Sequence, residues 1–147
     1  MFCGPVRSQG VNRVIHARGH ENVTAQHAST FEVTSDEFLT PAGDCILGIE
    51  ADCVPAEFDD SFVAACQQTD ATIVAELSVE GHTERVEGRG HPDLTFASDR
   101  SLVCRTSEYT DDRTVAIGMD RAAADLDDEL VTALADGGEL TLTLRVE

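Results

Sequence analysis

Two histidines occupy matching positions where imidazole chemistry is available. Arg18-Gly19-His20-x-Asn22-Val23-Thr24 returns 71 positions later as Arg89-Gly90-His91-x-Asp93-Leu94-Thr95. An imidazole beside an amide or carboxylate side chain supplies the donor types a divalent metal ion takes, or a proton carrier near neutral pH. If the two strands that carry them meet, His20 and His91 become candidate metal ligands, with Asn22 and Asp93 alongside. The alternative is structural: Gly-His closes a strand and the ring serves the turn that follows. His27 falls in phase with Val23, Phe31 and Val33, where a satisfied core histidine is the ordinary outcome. His16 and His82 read as surface residues.

Asp52 and Asp120 each end an apolar run just before a helical segment. Each carboxylate either points at a ligand from a strand end or caps the helix that follows. Residues 104–114 gather Arg105, Ser107, Tyr109, Asp111, Asp112 and Arg113 into what reads as one hairpin. Arg105 and Arg113 flank its turn, and paired guanidiniums suit a carboxylate or phosphate. The competing reading is an Arg–Asp network that fixes the hairpin. Asn22, Asp52, Arg105, Arg113 and Asp120 are therefore the candidate ligand-binding residues, and His20 and His91 the candidate metal pair. No phosphate-binding glycine loop, dinucleotide fingerprint, H-E-x-x-H helix or G-x-S-x-G elbow occurs, so no familiar cofactor enzyme is signalled. The cysteines contain no C-x-x-C pair, and Cys45, Cys66 and Cys104 take apolar positions typical of small core residues.

The elements that must position these groups also come twice. Residues 13–20 and 85–91 alternate, with Ile15, Ala17, Val86 and Gly88 on one face. Second strands are expected over 23–33 and 94–104, and central strands at 45–49 and 115–119. Phe58, Phe62 and Cys66, then Leu126, Leu130 and Leu134, recur at helical spacing. Pro55 fits a first helical turn and Gly137-Gly138 a stop. Ile73 to Val79 and Leu140 to Val146 alternate as closing strands. Asp44, Ile49, Asp52, Ala56, Asp59, Asp60, Val63 and Ala65 all recur 68 positions on, which points to duplication. The expected fold is mainly β (α+β): a pseudo-twofold antiparallel β-sandwich of two tandem repeats, approximately 13–81 and 84–147, with two short flanking helices. No linker divides 1–147, so a single domain is expected, with 1–12 an irregular lead-in.

Composition speaks to the solvent. The chain carries 28 acidic residues against 10 basic ones, for a net charge of -18, and every basic residue is Arg. Such self-repulsion strains a compact state at low ionic strength. At molar salt the Debye length falls to about 3 Å and the repulsion is screened. An acidic, lysine-free, aromatic-poor chain fits a salt-in halophile. It lacks the basic stripes that nonspecific nucleic-acid or membrane-surface binding needs. Residues 1–10 hold no secretory apolar stretch and no run reaches the length of a membrane span, so a cytoplasmic protein is expected.

The same stretches resemble a small archaeal family known as domain of unknown function 371. The residues that carry the resemblance are Gly19-His20-Glu-Asn22-Val23-Thr24-Ala25-x-His27, Leu39-Thr40-x-x-Gly43-Asp44-Cys45-Ile46-x-Gly48 and Ala51-Asp52. They continue through Gly90-His91-Pro92-x-Leu94-Thr95, Arg113-Thr114 and Asp120-Arg121-Ala122-Ala123. The family usually shows Lys where Arg121 stands, a replacement a lysine-free halophilic version would make. If that amine were catalytic the change would not be neutral, because Arg does not serve as a general base. The resemblance implies a compact β-sandwich-like fold and no established activity, substrate or cofactor.

These readings favour a cytoplasmic haloarchaeal small-ligand or metal-binding protein, or an enzyme, with a divalent metal ion as candidate cofactor and a small anion as candidate ligand. Its rival is a noncatalytic protein-interaction or assembly module in which the repeated motifs maintain the fold. Specific RNA binding would need a strongly salt-dependent affinity, which molar salt disfavours. The charge makes one outcome checkable. Diluting the protein from molar KCl into low-salt buffer should loosen or unfold it, followed by circular dichroism; full stability there would remove the halophile argument.

Overall fold

The computed structural model describes residues 11–40 and 42–147. Strands β1 (Val11–Arg18), β2 (Thr30–Thr34) and β3 (Ile46–Gly48) lead into a 3-10 turn at Pro55–Glu57, helix α1 (Asp60–Cys66) and strand β4 (Thr72–Val79). Strands β5 (His82–Arg89), β6 (Ser101–Arg105) and β7 (Thr114–Ala116) lead into a second 3-10 turn at Ala123–Asp125, helix α2 (Asp128–Ala135) and strand β8 (Glu139–Val146). The described residues are mainly β, with two four-stranded sheets and two α-helices. The lead-in expected over 1–12 lies outside the described residues up to residue 10, and residues 11 and 12 already belong to β1.

The first sheet has the order β1-β8-β4-β5 and is antiparallel throughout. Ile73, Ala75, Leu77 and Val79 of β4 and Leu140, Leu142 and Leu144 of β8 point into the core as their alternation requires. β4 and β5 are joined by Glu80-Gly81, both with positive φ, 50° and 84°, the backbone twist that matches a tight hairpin. The second sheet, β3-β2-β6-β7, differs from the antiparallel expectation. β2 and β6 are antiparallel at its centre, but β3 and β7 pair parallel to them. Residues 106–113 are therefore a crossover between parallel strands and not a hairpin.

β3 and β7 were expected to be central, and they end their sheet. Their apolar character has another cause. Arg18 and Ile49 exchange backbone hydrogen bonds of 3.0 and 2.7 Å, and Arg89 and Ile117 exchange bonds of 2.8 and 3.0 Å. These bridges join β3 to β1 and β7 to β5, so the eight strands form a closed ring with no free edge at those points. One core fills it, with Ile15, Phe31, Leu47, Phe62, Ile73, Leu77, Leu102 and Leu130 fully buried. No helix among the described residues is long and apolar enough to cross a membrane.

The strands expected over 23–33 and 94–104 shrink to five residues each, Thr30–Thr34 and Ser101–Arg105, which run one residue past the expected ends. Ala25 and Phe96 take positive φ, 50° and 53°, which breaks a strand. Val23, Ala25, Leu94 and Phe96 are still buried, so the apolar rhythm came from loops that plug the core. The helices start later than expected. Asp59 Oδ2 accepts from Phe62 N at 3.3 Å and Asp127 Oδ1 from Glu129 N at 3.2 Å. These are the caps, and Pro55 opens the preceding 3-10 turn.

Gly19 and Gly90 set how close β1 and β5 come to the helix ends. A Cβ on Gly19 would lie 1.9 Å from the Leu134 carbonyl oxygen, and one on Gly90 2.0 Å from that of Cys66. Gly19→Ala and Gly90→Ala should each lower the unfolding free energy by roughly 2–3 kcal/mol in urea melts. Gly81→Ala, with open space but φ 84°, should cost only about 1 kcal/mol; equal effects at all three sites would refute the steric argument.

Candidate functional site

The two histidines do not converge. Arg18 pairs with Glu139 at the start of β8, whereas Arg89 pairs with Thr72 at the start of β4. β4 and β8 run antiparallel, with Ile73 opposite Val146 and Val79 opposite Leu140. His20 and His91 therefore leave the first sheet at opposite ends, about 20 Å apart at strand rise. Each ring serves its own turn: His20 Nδ1 accepts from Asn22 N, and His91 Nδ1 from Asp93 N, both at 3.0 Å. Asn22 Nδ2 donates to the Leu39 carbonyl at 2.8 Å. Among the described residues no three His, Cys, Asp or Glu side chains are grouped as a metal site requires.

Asp52 and Asp120 stitch the ring. Asp52 N–H donates to the His16 carbonyl at 2.9 Å while its Oδ1 accepts from His16 N at 2.9 Å. Asp120 does the same with Glu87, at 2.9 and 3.0 Å. In both places a side-chain carboxylate replaces the main-chain acceptor where the strand path bulges past the bridge.

Arg105 and Arg113 are brought together, on the outer face of the second sheet. The pairings Thr30–Arg105, Glu32–Val103 and Thr34–Ser101 put Thr30, Glu32 and Arg105 on one face, opposite Phe31, Val33 and Leu102 in the core. Arg105 Nη2 donates to Asp111 Oδ2 at 3.0 Å and Nε to Thr114 Oγ1 at 2.8 Å. Arg113 is held more loosely, with Nη2 3.4 Å from Asp111 Oδ2 and Nη1 3.6 Å from Glu32 Oε2. Its side chain is 45% exposed, against 12% for Arg105 and 11% for Glu32. Burial would raise the Asp111 pKa, but the Thr114 hydroxyl, the Arg113 N–H and both guanidiniums outweigh it and hold the carboxyl below its usual range.

The network extends to residues the sequence did not single out. Cys45 Sγ donates to Glu32 Oε1 at 3.3 Å. The Thr30 hydroxyl contacts both that sulfur and His27 Nδ1, the latter at 3.0 Å. His27 Nδ1 also accepts from Ser29 N and Thr30 N, so this half-buried ring caps a turn and is not a core residue. Cys45 is likewise half-buried and polar in its contacts. Burial, then the Glu32 charge, pushes its thiol up to about 11. The one available signal was Thr30-x-Glu32-x-Thr34, polar in the phase opposite Phe31 and Val33.

Beside Arg113 lies an open depression of about 530 Å³, also lined by Ser98, Asp99, Asp111 and Asp112. A second depression of similar size is lined by Glu80, His82, Asp128, Glu129 and Asp136 and lacks a guanidinium. Smaller depressions are lined by Arg89 and Arg18, but these are paired closely with Glu108 and Glu50, so among these depressions Arg113 is the guanidinium held most loosely by carboxylates. Because Glu32 raises the Cys45 pKa, its removal has a signed consequence. At pH 8 Cys45 should react with iodoacetamide roughly a hundredfold more slowly than a free cysteine, and Glu32→Gln should accelerate it. Peptide mass spectrometry reads both rates; no acceleration in the variant would sink the assigned contact.

Residues 15–147 match the family described as Domain of unknown function (DUF371). A protein of Methanocaldococcus jannaschii, described as uncharacterized, is 38% identical over 133 residues, covering 90% of this chain and 98% of that protein. The chain belongs to the DUF371 family.

Proposed function

We propose that this member of the DUF371 family is a cytoplasmic small-ligand-binding protein whose site is the outer face of its second sheet, with Arg113 receiving an anionic group. One observation carries the reading: Arg113 lines an open depression while its two carboxylate partners stand off at 3.4 and 3.6 Å. A guanidinium has five N–H donors, and contacts that long leave it free to accept a better-placed anion. Arg105, tied to Asp111 and Thr114, acts as the support that positions Asp111 beneath it. The rival reading, a noncatalytic interaction module, draws on Phe38, a large apolar side chain left 59% exposed.

We infer also that the two halves descend from one duplicated unit in a pseudo-twofold sandwich. Exchanging β1 with β5, β2 with β6, β3 with β7 and β4 with β8 turns each strand order into its own reverse, which supports that origin. The all-arginine basic set and the charge of -18 support a halophilic source.

The test is phosphate titration of wild type and Arg113→Ala, at the lowest salt that keeps the fold. Inorganic phosphate should raise the wild-type melting temperature and leave the variant unmoved, while the variant without phosphate stays within about 1 kcal/mol of wild type. A variant destabilised by roughly 1–3 kcal/mol, with no phosphate response in either protein, would favour the interaction module.

A further inference from the structure

We propose that the ligand is a planar aromatic anion, its ring stacked on Tyr109 and its charged group on Arg113. This rests on the anion site above and extends it past Asp111 and Arg105 to the neighbouring Tyr109 ring. Tyr109 is 61% exposed, yet one face of its ring is already occupied. The Arg105 guanidinium carbon lies 4.8 Å from the ring centroid. Arg105 is fixed in turn by Thr114 and Asp111.

The chain leading to the ring is fixed as well. Met119 N donates to the Arg105 carbonyl and Gly118 N to that of Ser107, both at 3.0 Å. Tyr109 N donates to Ser107 Oγ at 3.4 Å. A ring buttressed by a guanidinium on one face and open on the other is a preordered stacking platform, so a planar ligand loses little to ordering it. Asp111 Oδ2 bonds Arg105 beneath the ring and also faces Arg113. Ring, Arg105, Asp111 and the half-exposed Arg113 guanidinium thus form one connected chain of contacts, which offers a planar anion a stacking face and a charged donor. Phe38, 71 positions before Tyr109, is also exposed. There Thr34 stands where Arg105 stands for Tyr109, so the platform is built once.

Tyr109 is the only tyrosine, so its ring resonances in tyrosine-labelled protein report on this site alone. Adenosine monophosphate should bind and move the ring protons upfield. Ribose 5-phosphate should bind about tenfold more weakly and leave the ring in place. Tyr109→Leu should bring adenosine monophosphate down to the affinity of ribose 5-phosphate, whose own binding is unchanged, and Tyr109→Phe should keep both wild-type values. If the two probes bind equally and the ring does not move, stacking is overturned and the Arg113 anion site stands. If neither binds, both fall together.

Discussion

Everything in this molecule depends on closing two seams between its sheets. Two four-stranded sheets would leave four open edges, each a row of unpaired backbone groups. The exchanges between Arg18 and Ile49 and between Arg89 and Ile117 join those edges at one end of each seam, and Asp52 and Asp120 continue the closure past a bulge. This explains why Asp recurs at the two positions. A carboxylate can follow a strand path that has drifted out of register, where a main-chain carbonyl cannot reach. It also explains the matched glycines: for β1 and β5 to reach their bridges, the chain must pass against a helix carbonyl with no side chain between.

With the ring closed around an apolar core, the buried Arg13, paired with Asp59 over the Phe62 ring, is the charged group that faces inward among the described residues, and the other polar clusters lie outside. The second sheet is unusual because its outer face is polar and yet buried. Thr30, Glu32, Thr34, Ser101 and Thr114 are all less than a tenth exposed. Polar groups buried this way need partners; the crossover residues 106–113 supply them to Thr114 and Glu32 through Asp111 and Arg113, while His27 serves Thr30 and the Arg100 carbonyl serves Thr34. Because β6 and β7 are parallel, that crossover must travel back along the sheet, which gives it the length to lay Tyr109 and Arg113 over the same face. A hairpin would have turned away too soon.

The order of strands and helices was legible because core periodicity dominates it. Ile73 to Val79 and Leu140 to Val146 announce their strands, and Leu130 and Leu134 their helix. The parallel pairing of β3 and β7 was not legible, since a three-residue strand has no periodicity to read. At the site, Arg105 and Arg113 stood out as adjacent guanidiniums, and they do meet. His20 and His91 stood out through repetition, but repetition in a closed ring places equivalent residues at opposite ends. Glu32 was hidden between the core residues Phe31 and Val33, and Cys45 because it reads as the first residue of an apolar run; only the pairing of β2 with β3 and β6 and the Cys45–Glu32 contact show that they face outward.

The ring has one seam with a consequence in time. Val11 pairs with Val146 and Arg18 with Glu139, so β1 is held in the first sheet by β8, the last strand of the fold. On the ribosome, β1 therefore emerges long before its partner exists. Pairings this distant in sequence are slow to form, and the nascent chain must carry an unpaired first strand until residues 139–146 have been made. Its dense negative charge keeps such chains apart during that wait, a service rendered to the half-made protein as much as to the finished one.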